Sequence, residues 1–513
     1  MSTANRVIKN TGFLYARMGI TMFISLYTTR LILNALGAED FGIFNVVGGA
    51  IAMMGFLNAA MTAATQRFMS YAEGEGKIEK QKSIFNVAIV LHFFIAIVLG
   101  IVLLIAGYFF FNSILTIPEE RMYAAKLIYY FMIVSTMLTV MTVPYQAVLN
   151  AHENMLYFAI VGVIESLLKL AVALIVVNTI LDKLIMYGVL MAGISLTVML
   201  IMRVYTHKHY SECVYAPRKY WDKDLMKEMT SFAGWSLFGS SSGIISGYGT
   251  NIILNNFFGP VLNAANGICG QLNGQLMAFS NNMMKAVNPV IVKSEGQGNR
   301  NQMFKVTFTA GKLSVLLYSF FAIPFILETS FILKLWLKEV PPYTEIFLQL
   351  MFIQVLIEEI TMPLGTSISA IGKIKQYNII VSIILYSEIF LLFLAYIIGF
   401  PPQTLRIVAI IGAFGITLYK VWYCKYYCNM PLVEFITDVF MRSALVIILT
   451  LLIGYILQSF FDISLARMII VTFVSFLSFG VLSYLLGLNQ QERLRINDFI
   501  LQRLKKILKH NYD

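Results

Sequence analysis

Charge is scarce in this sequence. Only 13% of its 513 residues are Asp, Glu, Lys or Arg, and 58% are hydrophobic; average soluble domains are about 25% charged. That balance excludes an ordinary soluble multidomain protein. Histidine and cysteine are scarcer still, at five and four residues. His92, His152, His207, His209 and His510 are scattered along the chain. No H-E-x-x-H pair and no Cys/His cluster occurs, so no metal-ligand set is present. A phosphate-cradling G-x-x-x-x-G-K-[ST] run is also missing, which argues against direct ATP hydrolysis. Cys424 and Cys428 stand one helical turn apart, but nothing completes a tetrahedral set around them, and all four cysteines read as free thiols.

What the chain has instead is long apolar runs. A membrane span needs roughly 20 mostly apolar residues. Fourteen segments qualify: about 10–34, 42–69, 83–111, 122–148, 154–178, 184–206, 229–257, 261–291, 303–329, 344–370, 376–399, 404–427, 437–460 and 464–487. Arg6 and Lys9 precede an apolar stretch too long for a cleaved leader, and it ends without a small-residue cleavage site, so the first span is expected to be retained. The connections alternate in charge. Arg6, Lys9, Lys77, Lys80, Lys82, the 207–228 loop, Lys293, Arg300, Lys373, Lys375 and Lys425 fall on one side; Glu39, Asp40, Glu119, Glu120, Arg121, Asp182, Lys183, Lys334, Lys338, Asp462 and Arg467 fall on the other. The positive-inside rule puts the first set, and both termini, in the cytoplasm. The net charge of +11 is thereby explained by topology, with no nucleic-acid partner required.

One stretch appears twice. LNALGAEDFGIFNVVGG begins at Leu33 and leads to Glu73-Gly74-Glu75-Gly76; LNNFFGPVLNAANGICG begins at Leu254 and leads to Glu295-Gly296-Gln297-Gly298. The acidic glycine exits are 222 residues apart. A second pair, Thr142-Val143-Pro144 leading to Ala151 and Thr361-Met362-Pro363 leading to Ala370, is offset by 219. Large internal repeats of this kind characterise secondary transporters. Six spans per half is an even number, so the halves are expected to be related by a pseudo-twofold along the membrane normal.

The expected fold is therefore an all-α polytopic membrane protein of about 14 transmembrane helices. Residues 1–206 form an N-terminal six-helix lobe, 207–228 a cytoplasmic linker, 229–430 a C-terminal six-helix lobe, and 431–489 two additional helices. Residues 490–513 place Ile496, Ile500, Leu504, Ile507 and Leu508 on one helical face with basic residues around it, a basic amphipathic tail suited to an anionic inner leaflet.

The L-G-A-E-D-F-G-I-F run after the first span, then T-Q-R-F-M-S and E-G-E-G, then P-Y-Q-A-V-L-N-A, on duplicated six-helix halves, resembles the polysaccharide flippases. These are the O-antigen (Wzx-type) transporters of the multidrug/oligosaccharidyl-lipid/polysaccharide exporter superfamily. The resemblance covers nearly the whole chain. It implies two lobes alternating access to a central cavity, in the bacterial inner membrane. The cargo it implies is an undecaprenyl-diphosphate-linked oligosaccharide, such as an O-antigen, capsule or exopolysaccharide repeat unit. Membrane lipids and other polysaccharide-assembly proteins are the implied partners. The twelve-span MATE drug exporters of the same superfamily are the alternative. A polytopic glycan polymerase or acyltransferase is a third reading; the short outer loops and the lack of an acid beside the intramembrane His92 speak against it.

An ionisable side chain inside a span marks a functional site by default, because placing it there costs about 2.5–3.5 kcal/mol. A diphosphate needs cations, and arginine offers a bidentate fork. Arg17 is the first choice, followed by Lys285, Lys169 and Lys312; Arg30 and Arg67 lie nearer helix ends, where they can snorkel. Glu165, Glu358 and Glu388 are candidates for coupling to H+ or Na+, with no other cofactor expected. Glu358 and Glu359 are adjacent and point about 100° apart, so at most one of them is expected to face the lumen. Lys169 is four residues after Glu165, and the two could equally neutralise each other. The seventh span, GWSLFGSSSGIISGYGTN, is small, polar and pliable, suited either to close packing or to lining a cavity. Pro144 and Pro363 read as kinks or hinges.

Overall fold

The computed structural model describes residues 3–52, 55–114, 117–337, 340–490, 492–494 and 497. Most of them are helical, with no strand among them. In chain order the first six helices are α1 (Thr3–Ala52), α2 (Gly55–Glu75), α3 (Ile78–Phe109), α4 (Glu119–Ala151), α5 (Met155–Asn178) and α6 (Lys183–His209). Then come α7 (Pro217–Tyr220), α8 (Lys223–Phe258), α9 (Pro260–Gly296), α10 (Arg300–Leu327), α11 (Thr329–Leu337) and α12 (Thr344–Ile371). The last five are α13 (Ile374–Ile398), α14 (Thr404–Cys428), α15 (Leu432–Glu434), α16 (Arg442–Gln458) and α17 (Leu465–Leu482).

Eleven of the described helical segments are long and apolar enough to cross a membrane. The three other expected spans are helical but more polar. They fall on the second part of α1 with α2, on α8 and on α9. At 36 and 37 residues, α8 and α9 reach about 54 Å, so their length suffices; Gly, Ser and Asn dilute their apolar character. Large side chains such as Phe23, Tyr455 and Phe473 are 76%, 71% and 67% exposed, an arrangement that needs lipid around it.

The internal repeat is written in the backbone. Gly37 bends α1 with φ 79°, and Gly259 separates α8 from α9 with φ 83°. Gly76 (φ 69°) and Gly298 (φ 71°) end α2 and α9, and their amides bond to the carbonyls of Glu73 and Glu295. These left-handed positions lie 222 residues apart. Glu153 (φ 56°) and Gly372 (φ 86°) form a third pair, their amides bonded to the carbonyls of Asn150 and Ser369. Here the offset is 219, the same drift as between Pro144 and Pro363, both of which remain inside their helices.

The chain divides into two compact units. The first comprises residues 1–241, 285–303 and 369–379. In it α4 packs on α3 and α6, around Leu103, Ile128 and Tyr129. Gly107 leaves room for the Tyr129 ring, whose hydroxyl donates to the Leu103 carbonyl at 2.6 Å. The second comprises residues 242–284, 304–368 and 380–513. Its core holds Tyr318, Phe347, Phe352 and Leu392. There α16 and α17 join α10 through Val315, Val446 and Phe479.

Loops with the same expected sidedness meet. Arg121 binds Asp40 and, at 2.7 Å, Asp182, so three connections of the less basic side converge. Burial pushes the Asp182 carboxyl up, but the Arg121 hydrogen bond and the Ile185 amide outweigh it and hold it below the usual range. Arg467 likewise binds Glu328 at 2.9 Å. On the basic side Arg6 reaches Glu153 at 3.5 Å and His152 reaches Glu212 at 2.5 Å. Asn489 and Glu492 form a capping box: each side chain accepts from the other's amide at 2.9 Å. The amphipathic tail expected from Ile496, Ile500, Leu504, Ile507 and Leu508 lies outside the described residues.

Candidate functional site

In the first unit, three helices bring two cations together. Leu14 of α1, Met155 of α5 and Ala286 of α9 pack against one another. One turn on from Leu14 and Met155, and next to Ala286, stand Arg17, Phe158 and Lys285. The Arg17 guanidinium lies 4.8 Å from the Phe158 ring centroid. It occupies the space over Gly162, where a β-carbon would overlap it. Glycine is needed there because any larger residue would push the guanidinium away. Lys285 lies in the field of the Arg17 charge, and Glu165 acts on Arg17 as a counter-charge. Arg17 is half-buried and Lys285 exposed. Among the described residues, neither forms an ion pair or a side-chain hydrogen bond. Two neighbouring cations, with no salt bridge to either among the described residues, thus lie on helices of membrane-spanning length.

The other cations singled out in the sequence lie elsewhere. Lys169 is bound to Glu165 at 2.6 Å, four residues away on the same face of α5. Arg30 is exposed on α1. Arg67 donates to the carbonyls of Ser369 and Ala370, both at 3.1 Å. Those carbonyls close the last turn of α12, where a cation complements the helix dipole. Lys312, only 2% exposed, is bound at 2.6 Å to Glu492, 180 residues away.

Lys312 therefore has a test of its own. Glu492→Gln strands a buried ammonium and is expected to cost about 3–5 kcal/mol, seen as a clear drop in the thermal midpoint in detergent. Lys312→Met, which removes the charge altogether, is expected to be much milder and to leave transport intact. Loss of transport with unchanged stability in Lys312→Met would return this lysine to the substrate path.

The second unit holds a polar cluster. Glu358 accepts from Gln354 at 2.9 Å. Glu359 accepts from Ser314 through one oxygen, while its Oε1 is buried without a hydrogen-bond partner. Glu388 accepts from Ser246 at 3.4 Å and lies against Gly412, which leaves no room for a β-carbon. Arg406 donates to Asn266, which in turn donates to Asn251 at 2.6 Å. The Arg406 and Lys420 charges act on Glu358, and Lys420 also acts on Glu359. Three carboxylates against two cations leave one negative charge uncompensated if all are ionised.

Arg406 and Lys420 escaped the sequence reading, although the signal was present. Lys420 lies well inside the 404–427 span, where any ionisable group qualifies. Arg406 falls in the first turn, where a cation reads as a snorkelling anchor. No group of three or more potential metal ligands occurs among the described residues.

A family profile described as polysaccharide biosynthesis protein matches residues 7–294. Among curated proteins none matches the sequence. Similar solved structures include a MATE in the bent conformation, with a TM-score of 0.71 and 15% identity over 84% of this chain and 96% of that one. An outward-facing multidrug resistance MATE family transporter of the MOP superfamily gives 0.67 and 14% over 83% and 96%. A MOP superfamily transporter from Pyrococcus furiosus, whose binding pocket is described as having reverse polarity, gives 0.62 and 13% over 84% and 96%. At such low identity the likeness is one of fold.

Proposed function

This chain belongs to the polysaccharide biosynthesis protein family and is a multi-pass membrane transporter, and from that premise we propose that it flips an undecaprenyl-diphosphate-linked oligosaccharide from the cytoplasmic to the periplasmic leaflet of the bacterial inner membrane. The observation that carries the proposal is the Arg17/Lys285 pair. Cations without partners in an apolar setting are costly; a diphosphate compensates both, and arginine grips it through two parallel hydrogen bonds. A drug exporter that takes cationic substrates would favour carboxylates at that place. Transport is powered by a cation, H+ or Na+, taken up by the carboxyl groups of Glu358, Glu359 and Glu388 in the second unit. Glu359 Oε1, without a hydrogen-bond partner among the described residues, is its point of attachment.

The test is to delete the gene in its host and fractionate the lipid-linked glycans. A complete oligosaccharide trapped on lipid and facing the cytoplasm is expected. Unchanged glycolipids with new sensitivity to cationic dyes would replace the flippase by the drug exporter. A trapped intermediate that already faces the periplasm would point to an enzyme.

A further inference from the structure

The expected spans 42–69, 229–257 and 376–399 each have one end on the side with the excess of basic residues. There α2, α8 and the start of α13 enclose a cavity of about 460 Å³ within the first unit, a size typical of small-ligand sites. The spacing of Asp224, Glu228, Ser231 and Trp235 lays one stripe of α8 along its wall. The walls are pinned together. Phe68 of α2 meets Phe232 of α8 edge-on, with ring centroids 5.8 Å apart. Asn378 of α13 donates to the Trp235 carbonyl at 2.7 Å and fills the space over Gly239, where a β-carbon would stand 2.9 Å from it.

Charges of both signs line the cavity, and they are ordered along α8. Asp224 and Glu228 come first, in its opening turns, and both are exposed. About one turn further on, the Arg67 guanidinium lies 5.3 Å from the Phe232 ring centroid. Another turn on, the Lys375 ammonium lies 5.0 Å from the Trp235 ring centroid. Arg67 commits two nitrogens to the carbonyls of Ser369 and Ala370. Its Nη1 stands 3.9 Å from Glu228, beyond hydrogen-bond reach. Gly372, at φ 86°, makes room for this arginine: a β-carbon there would stand 2.8 Å from Nη2. Among the described residues, Lys227 and Lys375 form no ion pair.

We propose that this cavity holds the headgroup of an ethanolamine phospholipid, its phosphate between Arg67 and Lys375 and its ammonium against Glu228 and Asp224. From the water inward the site offers carboxylates, then cations, then the Trp235 ring. A zwitterionic lipid presents the matching order: ammonium, phosphate, then glycerol and acyl chains, with tryptophan at home at that interface. A phosphate also suits the N-terminus of α13, where Lys375 stands. A purely anionic headgroup would leave both carboxylates without a partner. A choline cation is best held by open aromatic faces, but those of Phe232 and Trp235 already carry Arg67 and Lys375. A primary ammonium instead brings N–H donors that carboxylates accept. The lipid is resident rather than carried, so the site stands apart from the identity of the cargo.

The test uses the full chain in membrane discs that hold equal parts of ethanolamine, glycerol and choline phospholipids with identical acyl chains. Lipids retained on gentle extraction are counted by native mass spectrometry. The ethanolamine lipid is expected to be enriched about threefold or more over each of the others, the worth of an exposed ion pair. Glu228→Gln combined with Asp224→Asn is expected to abolish the preference while leaving the total retained. Glu228→Lys is expected to turn the preference towards the glycerol lipid.

Lys375→Gln combined with Lys227→Gln removes charge from the phosphate side and is expected to lower retention of all three lipids alike. The four replaced side chains are exposed, so the variants keep the packing of the helices. Equal retention of the three lipids by the unaltered protein overturns the proposal. So does a preference that survives loss of both carboxylates, since lipid merely surrounding the protein would behave that way. Retention that ignores the headgroup and is abolished by excess inorganic phosphate would reduce the cavity to a phosphate site and overturn it as well.

Discussion

Alanine at Arg17 is expected to cut oligosaccharide flipping by about 10- to 100-fold at equal expression. A diphosphate would lose one charge-assisted hydrogen bond or more, each worth about 1.5–3 kcal/mol, and about 1.4 kcal/mol is a factor of ten in rate. Arg17→Lys keeps the charge but not the planar fork and is expected to fall between. Arg30→Ala, which removes an exposed side chain, is expected to stay near wild type. Gly162→Ala offers an independent probe. It leaves Arg17 in the sequence but puts a methyl where the guanidinium lies, so it should reproduce part of the loss. The readout is the rate at which labelled lipid-linked glycan reaches the outer leaflet. Equal losses in Arg17→Ala and Arg30→Ala, or no loss in either, would remove Arg17 from the substrate path.

How much of this was legible beforehand depended on where the partner of each residue sits. The repeat was legible because it rests on local backbone chemistry. Gly37, Gly76, Gly259 and Gly298 take conformations with positive φ, and the Pro pair kept its spacing to the helix ends. The third left-handed pair was half hidden, because one repeat carries Gly372 and the other Glu153. Helices α8 and α9 have the length expected of spans, but Ser, Gly and Asn weaken their apolar signal.

Charges were legible as exceptions but not as pairs. Lys312 looks alone in its span because its counter-ion, Glu492, enters from 180 residues further on. Arg67 shows no acidic neighbour at helical spacing because its main partners are backbone carbonyls of α12. The Glu165–Lys169 pair, four residues apart on one helix, could be anticipated. The Arg17–Lys285 neighbourhood depends on α1, α5 and α9 packing through Leu14, Met155 and Ala286. No one-dimensional pattern encodes that.

Glutamine at Glu359 is the replacement expected to separate transport from its driving force. Glu359 is 1% exposed; its hydrogen bond from Ser314 holds one oxygen, and the other has no hydrogen-bond partner among the described residues. A neutral amide of the same shape keeps the packing and removes the charge that would attract H+ or Na+. One elementary charge crossing 100 mV is worth about 2.3 kcal/mol, so an uncoupled variant forfeits a roughly 50-fold gradient advantage. Initial flipping rates with and without an imposed gradient measure this directly. Wild type is expected to respond and Glu359→Gln to run equally slowly in both. Repeating the experiment with a proton and then a sodium gradient identifies the ion. Lys420→Met should act in the opposite sense. It strips a cation from Glu358 and Glu359, raises the negative charge of the cluster, and is expected to tighten cation binding and slow release. A gradient response that survives Glu359→Gln but not Glu388→Gln would place the coupling carboxylate beside Ser246 and Gly412 instead.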